Sequence, residues 1–218
     1  MNEGHRPPVD PPRIVRYRAP TRINHWIVAT CFVLAALSGL SMFHPAFFPL
    51  GALFGGGPWA RILHPFIGCV MVVAFVLLAL RMWRDNFLTR DDAAWLRNGR
   101  KVIRNQEEDL PPAGRFNAGQ KLLFWVLVAC LLALLLSGLV IWRAYFSAFF
   151  PIGVIRFSSV AHAVAGLLMV CAIVVHIYAA IWVKGSIGAM TRGDVSYGWA
   201  WKHHRGWFRQ VIGGDRRD

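Results

Sequence analysis

The sequence predicts an all-α membrane protein, a four-transmembrane-helix bundle forming one integral-membrane domain over residues 1–218. Three observations predict it. The chain is 56% hydrophobic with a mean hydropathy of +0.44, too apolar for a soluble domain of 218 residues. It contains four apolar stretches that each reach the ~20 residues a membrane-crossing helix needs. Its positive charge is also unevenly placed. Of 24 Lys and Arg, 21 lie in residues 1–22, 81–121 and 184–218, leaving Arg61, Arg143 and Arg156 for the two opposite connections. This bias predicts that the N-terminus, central loop and C-terminal tail are cytoplasmic. The net charge of +13 therefore reads as basic loops on one side of lipid, with no nucleic-acid partner expected.

Residues 1–22 are polar and rich in Pro and Arg, and poor order is expected at their start, which contains His5. Span one is predicted at about 24–43. Its apolar stretch is too long for a signal-peptide core and no small-residue cleavage site follows, so it is expected to remain in the protein. The Pro/Gly-rich segment 44–59 breaks the helix. Span two, at about 62–80, ends in Arg81-Met82-Trp83-Arg84. Within the polar segment that follows, residues 91–103 have the pattern of a short amphipathic helix on the membrane surface. Span three is predicted at about 120–142 and span four at about 158–183, followed by a basic, Trp-rich tail. Cys31, Cys69, Cys130 and Cys171 fall one per apolar segment without metal or haem-attachment spacing, and are expected to pack as small apolar groups.

The histidines carry the chemistry. His162 and His176 are 14 residues apart on span four, roughly 21 Å along a helix axis and within roughly 40° of one face. The predicted topology puts His25 at the depth of His176 near the cytoplasmic side, and His64 at the depth of His162 near the other. Ionisable groups in a membrane are costly and suggest function. Two imidazoles complete the axial coordination of a haem iron. Spacing thus favours an inner pair, His25/His176, and an outer pair, His64/His162, each holding one haem. Proton relay or packing remain as alternatives. His44, just past span one, competes for the outer site, but its Pro-rich surroundings fit an interfacial role better. His203 and His204, among Lys202 and Arg205, fit solvated or partner-facing roles. Gly39, 14 residues after His25, is placed near the outer pair. Gly68 and Gly166, one turn after the outer histidines, would let a porphyrin approach the backbone, although close helix packing explains single glycines equally well. Asn117, Gln120 and Lys121 start span three as hydrogen-bond donors at the cytoplasmic boundary, where a helix cap is the alternative role for Asn117.

The segments RINHW (22–26), RILHPFIG (61–68), FNAGQKLLFW (116–125), SGLVIWR (137–143), FPIGVIRFSSVAHAVAG (150–166), VHIYAAIWVKGSIGAM (175–190) and GDVSYGWAWKHHRGW (193–207) resemble, in order, the cytochrome b (gamma) subunit of membrane-bound respiratory formate dehydrogenase. The likeness covers roughly residues 13–210. It implies a multi-pass protein of the bacterial inner membrane with two b-type haems. The matching ligands are His25 with His176 and His64 with His162, whereas His44 matches no ligand. It also implies a quinone site, for menaquinone or ubiquinone, near the inner haem at Asn117, Gly119 and Gln120. The implied partners are an iron–sulfur (beta) subunit and a molybdenum- or tungsten-containing catalytic (alpha) subunit that oxidises formate. The expected role is quinone-reducing electron transfer within that multisubunit oxidoreductase, moving electrons inward from the periplasmic partner. A hydrogenase or other periplasmic dehydrogenase as donor, a stand-alone quinone-linked cytochrome b, and a haem-free anchor are the other readings.

Overall fold

The computed structural model describes residues 12–103 and 110–213. The expectation of poor order at the extreme N-terminus, with His5, falls on residues outside these. Four helices are long and apolar enough to cross a membrane: α1 (Ala19–Phe43), α2 (Gly57–Met82), α5 (Ala118–Ile141) and α6 (Ile152–Trp182). Only 11–17% of the residues in their apolar windows are buried within the chain, so most of the apolar surface faces outward and requires an apolar surrounding.

All four helices begin before the predicted boundaries, and the three that start earliest relative to them, α1, α2 and α6, do so at a proline. Pro20 and Pro58 lie in the first turns of α1 and α2, and Pro151 caps α6. The pyrrolidine ring presets helical φ and removes an amide that would have no partner there. The helices therefore run past the edge of the apolar composition. The break at 44–59 holds a 3-10 helix, Pro45–Phe54, that ends at Gly55 with φ +90°, a conformation costly for other residues.

α1 packs on α2 and α5 packs on α6, giving two helical hairpins. The hairpins meet mainly through α2 and α5, while α1 approaches α6 at only a few positions. Met71 and Phe75 of α2, Cys130 and Leu131 of α5 and Met169 of α6 form a buried layer at mid-bundle, with Val28, Cys31 and Phe32 of α1 against it. Cys130 and Cys31 thus pack as expected for small apolar groups. The amphipathic segment is two short helices, α3 (Arg90–Arg97) and α4 (Gly99–Ile103), interrupted at Asn98. A reciprocal cap between Thr89 and Asp92 starts α3, which lies against α5.

The sequence does not signal the compact cap at the basic end of the bundle. Strand β1 (Arg13–Val15) pairs antiparallel with β2 (Asp194–Ser196), reinforced by Arg13 donating to Asp194 Oδ1 at 2.8 Å. Around it lie α7 (Ser186–Thr191), α8 (Tyr197–His203) and α9 (Arg205–Ile212). Ile14, Tyr17, Phe116, Ala189, Val195, Ala200 and Trp207 form its core. Gly193 makes the approach to β2 at φ +100°, where a Cβ would come within 2.7 Å of the Tyr17 carbonyl oxygen, so only glycine fits.

Arg16 is 4% exposed, with its guanidinium 4.3 Å from the Trp207 ring centre and ringed by Tyr17, Phe116 and Trp199. It donates to the Arg115 carbonyl. Burial lowers its pKa, and nearby Arg115 adds to this.

His204 departs from the solvated role expected of it. It is 1% exposed, and its Nδ1–H donates to the Gly114 carbonyl at 2.9 Å. Burial, then the Arg16 charge, push its pKa down to about 3, against about 6.5 unfolded. Unfolded chain therefore binds the extra proton between these values, and stability contributed by neutral His204 is full above about pH 6.5 and falls as pH drops toward 3. Acidification from pH 7 to 4.5 is expected to raise amide exchange in 110–117 and 193–210 ahead of the spans. In His204→Gln that pH dependence should shrink.

Candidate functional site

Each predicted histidine pair comes together, and each bridges the two hairpins. The His25 and His176 ring centres are 6.4 Å apart toward the basic end, where His25 lies in the second turn of α1 and His176 in the last turns of α6. The His64 and His162 ring centres are 6.1 Å apart toward the other end. Two imidazoles on opposite faces of one iron, at about 2 Å per metal–nitrogen bond, place their ring centres roughly 6 Å apart. Both separations meet that requirement. They occur where helix backbones hardly approach, α1 against α6 and α2 against α6.

The surroundings also fit a flat group lying between the hairpins. His25 Nδ1 and the Nδ2 of neighbouring Asn24 are buried without hydrogen-bond partners among the described residues. A Cβ added at Gly68 would meet nothing within 4 Å, and one at Gly166 only Leu134, at 3.9 Å. Gly39 is placed as expected, since a Cβ there would stand 3.2 Å from His64 Cε1. Its counterpart, Gly138 of α5, has the same 3.2 Å relation to His162 Cε1 and was not anticipated.

Two serines at the far-end pair were also missed. Ser38 Oγ lies 2.9 Å from His64 Nδ1, and Ser137 Oγ lies 3.0 Å from His162 Nδ1. The signal was present as a repeat. Ser-Gly-Leu occurs at 38–40 and again at 137–139, and each serine precedes its histidine by 26 or 25 residues. Each hairpin thus presents one histidine of the far-end pair against a Ser-Gly step on its partner helix.

His44 is not part of either pair. It is exposed, and its Nδ1 accepts the Ala46 amide at 3.2 Å as the cap of the 3-10 helix. That contact suits the interfacial role expected for it.

At the basic end, Asn117 caps α5. Its Oδ1 accepts from the Gln120 amide at 2.9 Å, and Gln120 Oε1 accepts from the Asn117 amide at 3.0 Å. This reciprocal cap uses the side-chain oxygens and leaves both NH2 groups as donors. A Cβ at Gly119 would lie 3.5 Å from the ring of Trp95 in α3, so α3 covers this turn closely. Lys121, the third expected donor, is committed elsewhere. Its Nζ donates to Asp92 Oδ2 at 2.7 Å, and both side chains are 10% exposed. Burial pushes the Asp92 carboxyl up, but hydrogen bonds from Lys121 and from the Thr89 amide and hydroxyl outweigh it and hold the pKa below the usual value. The pair therefore ties α3 to the start of α5.

Sequence comparison places this architecture. The profile of the prokaryotic cytochrome b561 family matches residues 16–193. The chain is 50% identical over 198 residues to the formate dehydrogenase cytochrome b556(fdo) subunit of Escherichia coli strain K12, covering 91% of this chain and 93% of that one. It is 42% identical over 198 residues to the nitrate-inducible formate dehydrogenase cytochrome b556(Fdn) subunit of the same strain, covering 91% of each. It is 39% identical over 200 residues to the formate dehydrogenase cytochrome b556 subunit of Haemophilus influenzae, covering 92% of this chain and 84% of that one. A four-helix membrane chain with this much shared sequence belongs to the prokaryotic cytochrome b561 family, among the cytochrome b556 subunits of formate dehydrogenase.

Proposed function

We propose that this chain is the membrane-anchoring, dihaem cytochrome b subunit of a formate dehydrogenase, and that it carries electrons from an iron–sulfur partner to a quinone. The observation that carries this reading is the pair of bridging histidine contacts, at 6.4 and 6.1 Å between ring centres, one near each end of the bundle. His25 with His176 would hold one haem b, and His64 with His162 the other. Bound in this way, haem b supplies reversible one-electron carriage. With imidazole on both faces, neither iron would keep an open position for a small substrate, which favours electron transfer over ligand chemistry.

The division of charge supports the orientation. The basic end carries almost all of the Lys and Arg, so it is assigned to the cytoplasm of a bacterium with the inner membrane around the spans. The far end then faces the periplasm, where the iron–sulfur subunit would deliver electrons from a molybdenum- or tungsten-containing catalytic subunit. Electrons would leave at the basic end to menaquinone or ubiquinone. There the NH2 groups of Asn117 and Gln120, whose oxygens are used by the helix cap, would donate to a quinone carbonyl. Gly119 keeps the first turn of α5 narrow beside Trp95. Inward electron movement combined with proton uptake from the cytoplasm would charge the membrane.

The test is a mild-detergent purification with identification of the co-purifying subunits and spectra taken on adding formate, then a quinone analogue. Formate should reduce the haem b bands and the quinone should reoxidise them. Co-purification with a hydrogenase or another dehydrogenase would replace formate as the donor. A colourless preparation from haem-supplemented cells would overturn the cytochrome reading.

A further inference from the structure

The far-end and basic-end histidine pairs differ in one respect. His64 Nδ1 is 2.9 Å from Ser38 Oγ, and that hydroxyl also lies 2.8 Å from the Leu34 carbonyl oxygen one turn back in α1. His162 Nδ1 is 3.0 Å from Ser137 Oγ, which lies 2.5 Å from the Ala133 carbonyl oxygen of α5. A hydroxyl has a single proton. A carbonyl can only accept, so the serine proton goes to the helix carbonyl, as is usual for serine within a helix. Were it turned to the ring, two oxygens would face each other at hydrogen-bond distance with no proton between them. Each ring therefore carries its proton on Nδ1, directed at the serine oxygen, with the Ala35 carbonyl beside His64 and the Leu134 carbonyl beside His162 as the neighbouring backbone acceptors. Nε2 is left with its lone pair. Ser38 is 0% exposed and Ser137 7%, so water does not compete for these hydroxyls. At the basic end His25 Nδ1 is buried without a partner, and neither His25 nor His176 makes a side-chain hydrogen bond among the described residues.

We propose that Ser38 and Ser137 are paired positioning residues that fix the tautomer and heading of His64 and His162, and that they set the far-end haem to a lower reduction potential than the basic-end haem. The proposal rests on the assignment of these histidines as axial ligands. An imidazole that donates its outer N–H is a stronger electron donor to a metal, which favours the oxidised iron. Hydroxyl acceptors on both ligands at one end, with none at the other among the described residues, make transfer from the far end to the basic end downhill. The Ser-Gly step serves both purposes. The serine holds one ring atom, and the adjacent glycine leaves room for Cε1, which a Cβ would crowd at 3.2 Å.

The experiment is potentiometric titration of the haems in the purified complex, for the native chain, Ser38→Ala, Ser137→Ala and the double variant. His64→Ala, which should keep only the basic-end haem, identifies which midpoint belongs to which end. The alanine variants should retain two haems per chain. Each serine removed should shift the far-end reduction equilibrium toward the reduced form by about twofold to tenfold, a tenfold change being ~59 mV for one electron. The basic-end midpoint should not move. An unchanged far-end midpoint in the double variant, or equal shifts at both ends, overturns the proposal, since helix carbonyls would then hold the rings equally well. If an alanine variant loses haem, Ser38→Thr and Ser137→Thr decide. Recovery of haem with the hydroxyl restored supports the proposal, and continued loss overturns it. Should His64→Ala itself keep two haems, the ligand assignment fails, which is a different result from a serine variant without effect.

Discussion

Replacing His64 with alanine is expected to lower haem content from two per chain to one and to reduce formate-driven quinone reduction to background. His64 projects from α2 toward His162 of α6, and these helices hardly approach elsewhere. An iron at that position would lose one of two axial nitrogens and its attachment to one hairpin. His162→Ala should produce the same deficit from the opposite side. The remaining haem should still be reducible by dithionite and no longer by formate, because on the proposed route the missing site would be the entry point. If both variants kept two haems, the pairing would be incorrect.

The second large effect is expected at Asn117, where structural and functional roles can be separated. Asn117→Ala removes the cap of α5 together with the NH2 group, so a loss of activity would have two explanations. Asn117→Asp keeps an oxygen to accept the Gln120 amide, and so keeps the cap, while it removes the donor and adds a negative charge. Quinone reduction should fall by about tenfold or more, the scale of one lost hydrogen bond to a reacting carbonyl together with a new adjacent charge. Both haems should remain reducible by formate, and thermal stability should stay near the native value. Unimpaired turnover in Asn117→Asp would leave Asn117 as a cap alone.

The bundle was legible in the sequence because apolar length and charge bias are local signals, and they place four spans within a few residues. The histidine pairs were legible for the same reason: helical rise and topology fix their depth. Other features depend on contacts that no local pattern carries. The cap joins residues 13–15 to 194–196 across nearly the whole chain. The burial of His204 depends on the Gly114 carbonyl, 90 positions away, so a histidine surrounded in sequence by Lys202, His203 and Arg205 reads as solvated when it is not. The serines behind His64 and His162 have a weak signature, a repeated Ser-Gly-Leu triplet, that gains meaning only once the hairpins are seen to repeat. Lys121 looked available at the start of span three, but its ion pair with Asp92 spans 29 residues and a loop whose path the sequence leaves open.

Each histidine pair is proposed to grip one haem iron. A pyridine haemochrome assay on the purified complex, normalised to this chain, tests it most directly. Two haems b per chain is the predicted result, and one or none would contradict it.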